Sequence, residues 1–237
     1  PKNLSLSHVL GGQVSIVHAE ELIYTGFPML EESNLEVVAS QIAAAGMWVT
    51  TTVSTLENNE TQWGTIDGLE ERLASRAVRY IPQSLRDRWA APNNYTDNYA
   101  SERPQIGRML DFLQPMLRAL GDADVLMLAG TDAGKPVMVP GFALIEEIEA
   151  LADAGLTSFD VLTAATSNAG RFVREFVDAN ASFGTVTRNA RADLILLDGN
   201  PVVDLSQLET PSGVMLRGKW YDRDALDRML AEVELRR

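Results

Sequence analysis

The 237-residue sequence contains no cysteine. This excludes disulfides and thiolate-bound zinc, although it does not fix the cellular compartment. The segment His18-Ala19-Glu20 matches the H-x-E pattern of zinc deaminases, but those sites also need cysteine ligands. The lack of cysteine therefore removes that interpretation of the motif.

Long apolar runs and excess positive charge are also missing. No run approaches the ~20 apolar residues of a membrane-spanning helix. The chain has 20 Lys and Arg against 33 Asp and Glu, a formal net charge of −13. A phosphate backbone or an anionic membrane would repel such a surface, so we expect neither nucleic acid nor membrane as a partner. Solubility alone accounts for the acidity.

The most informative stretch is 125–134, in which a short apolar run ends in Gly130-Thr131-Asp132-Ala133-Gly134. Flanking glycine and the lack of helical spacing predict a buried strand. A carboxylate at the end of such a strand lies where α/β enzymes keep their chemistry. Asp132 therefore either carries chemistry or caps the helix that follows, and spacing alone leaves both interpretations open.

Two earlier segments predict strands of the same sheet. Residues 14–17 form an apolar run that ends at His18, and residues 47–53 are rich in β-branched side chains. Between them, Ser33-Asn34-Leu35-Glu36 has the pattern of a capping box that starts a helix. Parallel strands joined in this way open on one face, where imidazole and carboxylate groups suit a metal-activated water. A structural role for His18 is the alternative.

The remaining predictions concern helices and loops. Residues 58–64 are polar and loop-like, and 82–98, with Trp89, Pro92, Asn93, Asn94, Tyr95 and Tyr99, form either a lid or an ordinary surface excursion. Helical spacing of apolar residues predicts five further helices. They span 4–12, 66–79, 102–120, 141–154 and 161–176. The last of these helices starts at Thr157 and is expected to break near Asn168.

The composition changes after about residue 180. Short strands are predicted at 183–186, 192–197 and 214–216, the last entering a tight turn at 217–219 before Trp220 and Tyr221. A closing amphipathic helix covers 222–235. We therefore divide the chain into residues 1–180, an α/β unit, and 181–237, a β segment with a closing helix.

Three strong parallel strands are too few for a closed barrel, which needs eight. Their apolar faces would leave an edge open and much of a core unfilled. We therefore expect the chain to be the later part of a longer α/β barrel, completed by an N-terminal half from the same gene or from a partner chain.

Several segments together resemble the metal-dependent amidohydrolases, in the subgroup that is similar to imidazolonepropionases and Xaa-Pro dipeptidases. The 130–134 motif with Pro140-Gly141-Phe142 and Glu146-Glu147 looks like the last barrel strand and its helix. The resemblance extends to Leu162-Thr163-Ala164-Ala165-Thr166-Ser167-Asn168-Ala169, Phe183-Gly184-Thr185-Val186, 190–201 and Ser15-Ile16-Val17-His18-Ala19-Glu20-Glu21.

This resemblance implies the C-terminal part of a (β/α)8 TIM barrel with strands of a small composite β-sandwich. It also implies one or two divalent metals, commonly Zn²⁺, and hydrolysis of an amide or cyclic amide. His18 matches the sixth-strand metal ligand. Asp132 matches the eighth-strand carboxylate, a metal ligand that also carries the proton from the attacking water to the leaving amine.

The sequence departs from the family pattern in its ligands. The first-strand His-x-His pair, the fourth-strand bridging residue and the fifth-strand histidine have no match. The chain begins just past the position of that last ligand, and we interpret His8 as structural. Two ligands are too few for a tight catalytic site. The remaining ligands are expected in an N-terminal part.

Four residues are candidates for the substrate pocket: Tyr24, Gly134, Val139 and Pro140. Tyr24 follows His18 closely enough to line the pocket, and the other three belong to the loop after Asp132. Ordinary loop geometry is the alternative for all four. Glu20 and Glu21 are as consistent with solvated or salt-bridged roles as with chemistry.

The predicted function is hydrolysis of an amide bond in a dipeptide, an N-acyl amino acid or a cyclic amide by a metal-activated water. The alternatives are an inactive or split-barrel structural chain, and the same fold acting as a deaminase or lactonase. Expected partners are the small substrate and further copies of the chain in a homo-oligomer. A cytoplasmic location is favoured, although residues upstream of Pro1 would be needed to judge export.

Overall fold

The computed structural model describes residues 5–91, 96 and 99–235. The sequence predictions for Pro1 to Leu4 and for Pro92, Asn93, Asn94 and Tyr95 lie outside these residues. The prediction of a loop over 82–98 is wrong for Gln83–Ala90, which form a helix that buries Trp89. Within the described ranges, no helix is both long enough and apolar enough to cross a membrane.

The first sheet contains three parallel strands in the order β1, β2, β3. Their bounds are Ser15–Val17 for β1, Trp48–Thr50 for β2 and Leu126–Leu128 for β3. Val49, fully buried at the centre of β2, pairs with Ile16 on one side and Met127 on the other. The predicted parallel α/β arrangement is confirmed, and the carboxyl ends of all three strands meet at one edge.

Helices pack around this sheet and supply most of the core. They are α1 (Leu6–Gly12), α2 (Glu21–Gly26), α3 (Leu35–Ala44), α4 (Val53–Gln62), α5 (Asp67–Leu73), α6 (Gln83–Ala90), α7 (Arg103–Asp122), α8 (Phe142–Asp153), α9 (Ser158–Ala165) and α10 (Ser167–Phe176), with 3₁₀ turns at Glu32–Asn34 and Arg76–Tyr80. The longest, α7, buries one stripe against α3 and α4, as its apolar spacing predicts. Thr157 caps α9 by accepting from the Asp160 N–H, as expected.

The second sheet is antiparallel and lies near the end of the chain. It is formed by β4 (Leu194–Leu196), β5 (Gly213–Leu216) and β6 (Lys219–Asp222), in that order. A 3₁₀ turn, Leu205–Glu209, precedes β5, and helix α11 (Arg223–Leu235) follows β6. The predicted strand pair with its tight turn is confirmed. The boundary at residue 180 remains a prediction.

The prediction of a loop over 58–64 is wrong, because α4 extends to Gln62. Its polarity is misleading, since Asn58 and Gln62 are 1% and 2% exposed. The Asn58 side-chain amide donates to the Pro136 carbonyl at 3.2 Å. Polar groups buried in this way need partners, and the neighbouring loop supplies one. The strand predicted to reach residue 53 is also too long, because α4 begins there.

Two further local predictions are wrong. The capping box does not form, because the chain is already helical before Leu35, whose N–H donates to the Glu32 carbonyl in the 3₁₀ turn. Residues 183–186 form no strand, because they lie against α10. A Cβ on Gly170 would be 2.1 Å from the Phe183 carbonyl oxygen, so the two backbones touch there. The break near Asn168 is real and falls at Thr166, between α9 and α10.

Candidate active site

His18 follows β1 directly, in the left-handed backbone region at φ 76°. Its Nδ1 lies 2.9 Å from the hydroxyl oxygen of Thr52, which follows β2. Next to it, the Ala19 N–H donates to the Thr51 carbonyl at 3.1 Å. The His18 side chain is 28% exposed. The imidazole is thus held at the carboxyl edge of the sheet and remains open to solvent.

Asp132 lies four residues beyond β3, at the same edge. The Thr55 hydroxyl, in the first turn of α4, donates to the Thr131 carbonyl at 2.6 Å. A Cβ on Gly130 would lie 2.3 Å from the Thr50 Cγ2 and 3.4 Å from that of Thr52. The segment carrying Asp132 therefore packs against the residues that hold His18. The structure brings both predicted residues to one rim, as expected from the strand order.

The Asp132 carboxylate is 41% exposed and contacts Lys135, whose Nζ lies 2.9 Å from Oδ2. Neither side chain is buried in the core. The turn from 132 to 135 contains a short backbone bridge between Ala133 and Lys135 rather than the start of a helix, since α8 begins only at Phe142. The alternative interpretation of Asp132 as the cap of that helix is wrong.

Glu20 is the site residue that the sequence left undecided. Its side chain is only 15% exposed, and its Oε1 lies 3.8 Å from His18 Nδ1. Burial raises the pKa of Glu20, and the nearby Glu21 adds to the rise, whereas a hydrogen bond from the Glu20 backbone and the charge of Lys135 oppose it; the resulting pKa is about 7. Among the described residues, Glu20 Oε2 has no hydrogen-bond partner. The H-A-E pattern shows that Glu20 is close to His18 in the sequence. The burial of the Glu20 side chain arises from tertiary packing, which the sequence does not show.

A cavity of about 340 Å³ opens beside Glu20, between α2, α4 and α7. Tyr24 lines it, and its hydroxyl donates to Met109 Sδ at 3.7 Å. Trp63 and Tyr99 form a stacked pair on its wall, with ring centroids 4.5 Å apart. Tyr24 thus lines a cavity that Glu20, the neighbour of His18, also lines. Its contact with substrate remains a prediction.

The other three predicted pocket residues lie in different surroundings. Val139 is 5% exposed and packs in a small apolar cluster with Leu69 and Trp89. The structure therefore gives Val139 a packing role. Gly134, at φ 128°, and Pro140 are both exposed on the loop after Asp132. Contact of these residues with substrate remains a prediction.

The donor set suits part of a metal site. An imidazole with Nδ1 engaged keeps Nε2 as a ligand, and a solvent-open carboxylate is a common partner for it on zinc. Within residues 5–91, 96 and 99–235, no three His, Asp or Glu side chains gather closely enough to hold a metal ion. His18 and Asp132 fit such a site as two of its ligands, and further ligands must complete it.

Comparison with solved structures shows the fold to which these elements belong. The bottromycin amidohydrolase matches all of this chain at 26% identity and TM-score 0.68. A Xaa-Pro dipeptidase with bound methionine in its active site matches 92% of the chain at 17% identity and TM-score 0.59, and A. niger ochratoxinase matches 92% at 18% and 0.58. The chain has part of an amidohydrolase fold.

The three strands of the first sheet are accordingly part of a (β/α)8 TIM barrel, and the resemblance deduced from the sequence motifs is confirmed at the level of the fold. The chain covers 52%, 42% and 39% of these three structures, so it spans about half their length or less. No family model and no curated protein matches the sequence.

Proposed function

We propose that this chain contributes to a metal-dependent hydrolase that cleaves an amide bond. The observation that carries the proposal is the placement of His18 and Asp132. The two residues are more than a hundred positions apart, and the parallel sheet brings them to one solvent-open rim. The amidohydrolase fold supports this function, because the names of several similar structures are those of amide-bond hydrolases.

His18 and Asp132 are the proposed metal-holding residues of this chain. When bound, a divalent metal such as Zn²⁺ polarises the substrate carbonyl and lowers the pKa of water. Thr52 holds His18 Nδ1, which leaves Nε2 for the metal. The remaining ligands would come from the preceding strands of the barrel, carried by the same polypeptide or by a partner chain.

Asp132 is the proposed general base. It takes a proton from the attacking water as the water oxygen bonds to the carbonyl carbon, and it then gives that proton to the amide nitrogen, so that the carbon–nitrogen bond breaks and the amine leaves. Its exposed position fits this role, because a group that moves protons between water and substrate must reach both. Lys135, 2.9 Å away, limits the directions in which the carboxylate can point.

The proposed substrates are small: a dipeptide, an N-acyl amino acid or a cyclic amide. The cavity of about 340 Å³ beside Glu20 and Tyr24 has the size for a group of a few heavy atoms next to the rim. Its stacked Trp63–Tyr99 pair offers an apolar wall. The dipeptidase that holds methionine in its active site is consistent with a ligand of this size.

Metal analysis and a substrate panel test the proposal. The protein is produced with the preceding barrel strands supplied, its bound metal is measured, and Xaa-Pro dipeptides, N-acyl amino acids and cyclic amides are assayed before and after chelation. We expect metal-dependent amide hydrolysis. Deamination or lactone hydrolysis alone would instead identify the same fold with another chemistry. Absence of both metal and turnover would point to a structural chain.

A further inference from the structure

Glu147, on α8, is fully buried at 0% exposure, and it lies more than ninety residues along the chain from the groups it binds. One carboxylate oxygen accepts from the Thr51 hydroxyl and from the Val53 N–H at 3.1 Å. The other accepts from the N–H and the hydroxyl of Ser54, both at 2.8 Å. Both oxygens are therefore fully occupied by the turn between β2 and α4.

Burial raises the pKa of Glu147, and the hydrogen bonds from Thr51, Ser54 and Val53 lower it. Removing a carboxyl group from water costs free energy, and this cost is offset when buried donors would otherwise lack an acceptor. Here they do, because the first N–H groups of a helix have no partner within the helix. Val53 and Ser54 are the first two residues of α4.

The residue that normally satisfies such groups is the one just before the helix, through its side-chain oxygen. That residue is Thr52, but among the described residues its side chain caps no N–H of α4. Its hydroxyl is instead at His18 Nδ1, 2.9 Å away. Thr52 also adopts φ 52°, an unfavourable conformation for a β-branched residue, which persists only when its surroundings enforce it.

We infer that Glu147 is a positioning residue of the active site: it caps α4 in place of Thr52 and so frees the Thr52 hydroxyl to hold the His18 ring. The same turn carries Thr55, which binds the carbonyl of Thr131 next to Asp132. One buried carboxylate thus supports both residues at the rim. The inference rests on the proposed function for its catalytic meaning, but its structural content stands without it.

The contact has a chemical consequence for His18. If Nδ1 carries the proton and donates it to Thr52, Nε2 keeps the lone pair that a metal or a proton needs. Loss of the Thr52 contact would let the ring rotate and change tautomer. The tautomer of His18 is therefore a readout of Glu147 that a purely structural role would not move.

Nitrogen NMR of the metal-free chain tests this inference. The sequence has only two histidines, and His8, exposed on α1, serves as the internal reference. We expect the native chain to show His18 with Nδ1 protonated. In Glu147→Gln, the side-chain NH₂ group would face N–H donors of the turn such as those of Val53 and Ser54, so the cap would weaken. The two His18 nitrogen shifts should then move toward those of His8.

Glu146→Gln is the matched control. Glu146 is the adjacent residue and forms a half-buried ion pair with Arg72, at 2.9 Å, rather than bonding to the turn. We expect its His18 nitrogen shifts to equal those of the native chain. Unchanged shifts in folded Glu147→Gln would overturn the inference and leave Glu147 a purely structural residue.

Thr52→Val covers the case in which Glu147→Gln does not fold. This variant removes the hydroxyl and keeps the capping carboxylate. If the His18 shifts in Thr52→Val move toward those of His8, the Thr52 hydroxyl holds the ring as the inference requires. Unchanged shifts contradict the inference. Because the measurement uses no metal and no substrate, it separates failure of this inference from failure of the proposed hydrolase function.

Discussion

Three residues of the proposed site have strained backbone conformations. His18, Thr52 and Asp132 all have positive φ, at 76°, 52° and 46°. Such conformations cost on the order of 1–3 kcal/mol each for residues other than glycine and persist where surrounding contacts enforce them. Each of these residues directs its side chain or its neighbours toward the rim. The strain is consistent with selection for placement rather than for stability.

Asp132→Asn tests the proposed general base. In the protein with a complete barrel, we expect amide hydrolysis to fall by roughly 10²- to 10⁴-fold, because the amide cannot take the proton from water. The free energy of unfolding should change by less than about 0.5 kcal/mol, since an exposed ion pair with Lys135 contributes little. Steady-state kinetics and urea unfolding measure the two effects.

Asp111→Asn, an exposed substitution on α7, is the control and should leave both quantities unchanged. Retention of full hydrolytic activity in Asp132→Asn would rule out the proton transfer assigned to it.

Glu20 predicts a dependence of stability on pH in the metal-free chain. Its pKa is raised by burial from 4.5 to about 7, so the folded state binds this proton more tightly than the unfolded state. The resulting stabilisation is present below about pH 4.5 and is lost as pH rises through about 7. Between pH 5 and pH 8 we expect a loss of about 2 kcal/mol from this group.

Chemical unfolding with a chelator present, at pH 5 and pH 8, measures this loss. Glu20→Gln should remove that part of the slope, whereas Glu36→Gln, on the exposed side of α3, should keep it. An identical slope in native and Glu20→Gln proteins would show that Glu20 is not desolvated.

Among the elements, the turn between β2 and α4 joins all three parallel strands. Its Thr51 carbonyl accepts from Ala19 after β1, and its Thr51 N–H donates to the Leu128 carbonyl of β3. Asn168, at the start of α10, donates to the Met127 carbonyl at 2.9 Å and so covers part of the outer edge of β3. Segments from distant parts of the chain thus complete the hydrogen bonds of the sheet and its carboxyl edge.

Close packing between β2 and the segment after β3 predicts a strong effect of one methyl group. Gly130→Ala would place Cβ 2.3 Å from Thr50 Cγ2, a contact so short that the Thr50 side chain or the segment after β3 must move. We expect a loss of about 1–3 kcal/mol in the free energy of unfolding. Thermal and urea unfolding of the purified chain measure it.

Gly107→Ala is the matched control, since its Cβ would meet nothing within 4 Å and it lies inside helix α7. That change should stabilise by about 0.5–1 kcal/mol, because alanine loses less backbone entropy in a helix. Equal effects of the two substitutions would contradict the tight contact at Gly130.

At the scale of the whole molecule, apolar side chains are exposed at both sheets. The parallel sheet has three strands, and Val14 and Val17 on its β1 side are 53% and 58% exposed. In the second sheet, Ile195 and Leu196 of β4 are 53% and 54% exposed. These surfaces agree with a chain that spans about half of the structures it resembles. The expected homo-oligomer remains a prediction.

Zinc binding tests whether the chain needs further ligands. By calorimetry at neutral pH, we expect weak binding to this chain alone, because two protein ligands do not complete a tetrahedral site. Binding should tighten by orders of magnitude when the preceding strands are supplied, and His18→Ala should abolish that gain. Tight binding by the isolated chain would contradict the proposed division of the ligands.

The sequence by itself determined the features that depend on neighbouring residues. Short apolar and β-branched runs predicted the parallel strands, apolar periodicity predicted most helices, and the ends of those strands predicted that His18 and Asp132 share a rim. Only the tertiary structure decided the burial of Glu20, the helical state of residues 58–62 and the bonds of Glu147. These features depend on contacts between residues that can be more than ninety positions apart. A local sequence pattern does not indicate which distant group will accept from a buried donor or exclude water from a carboxylate.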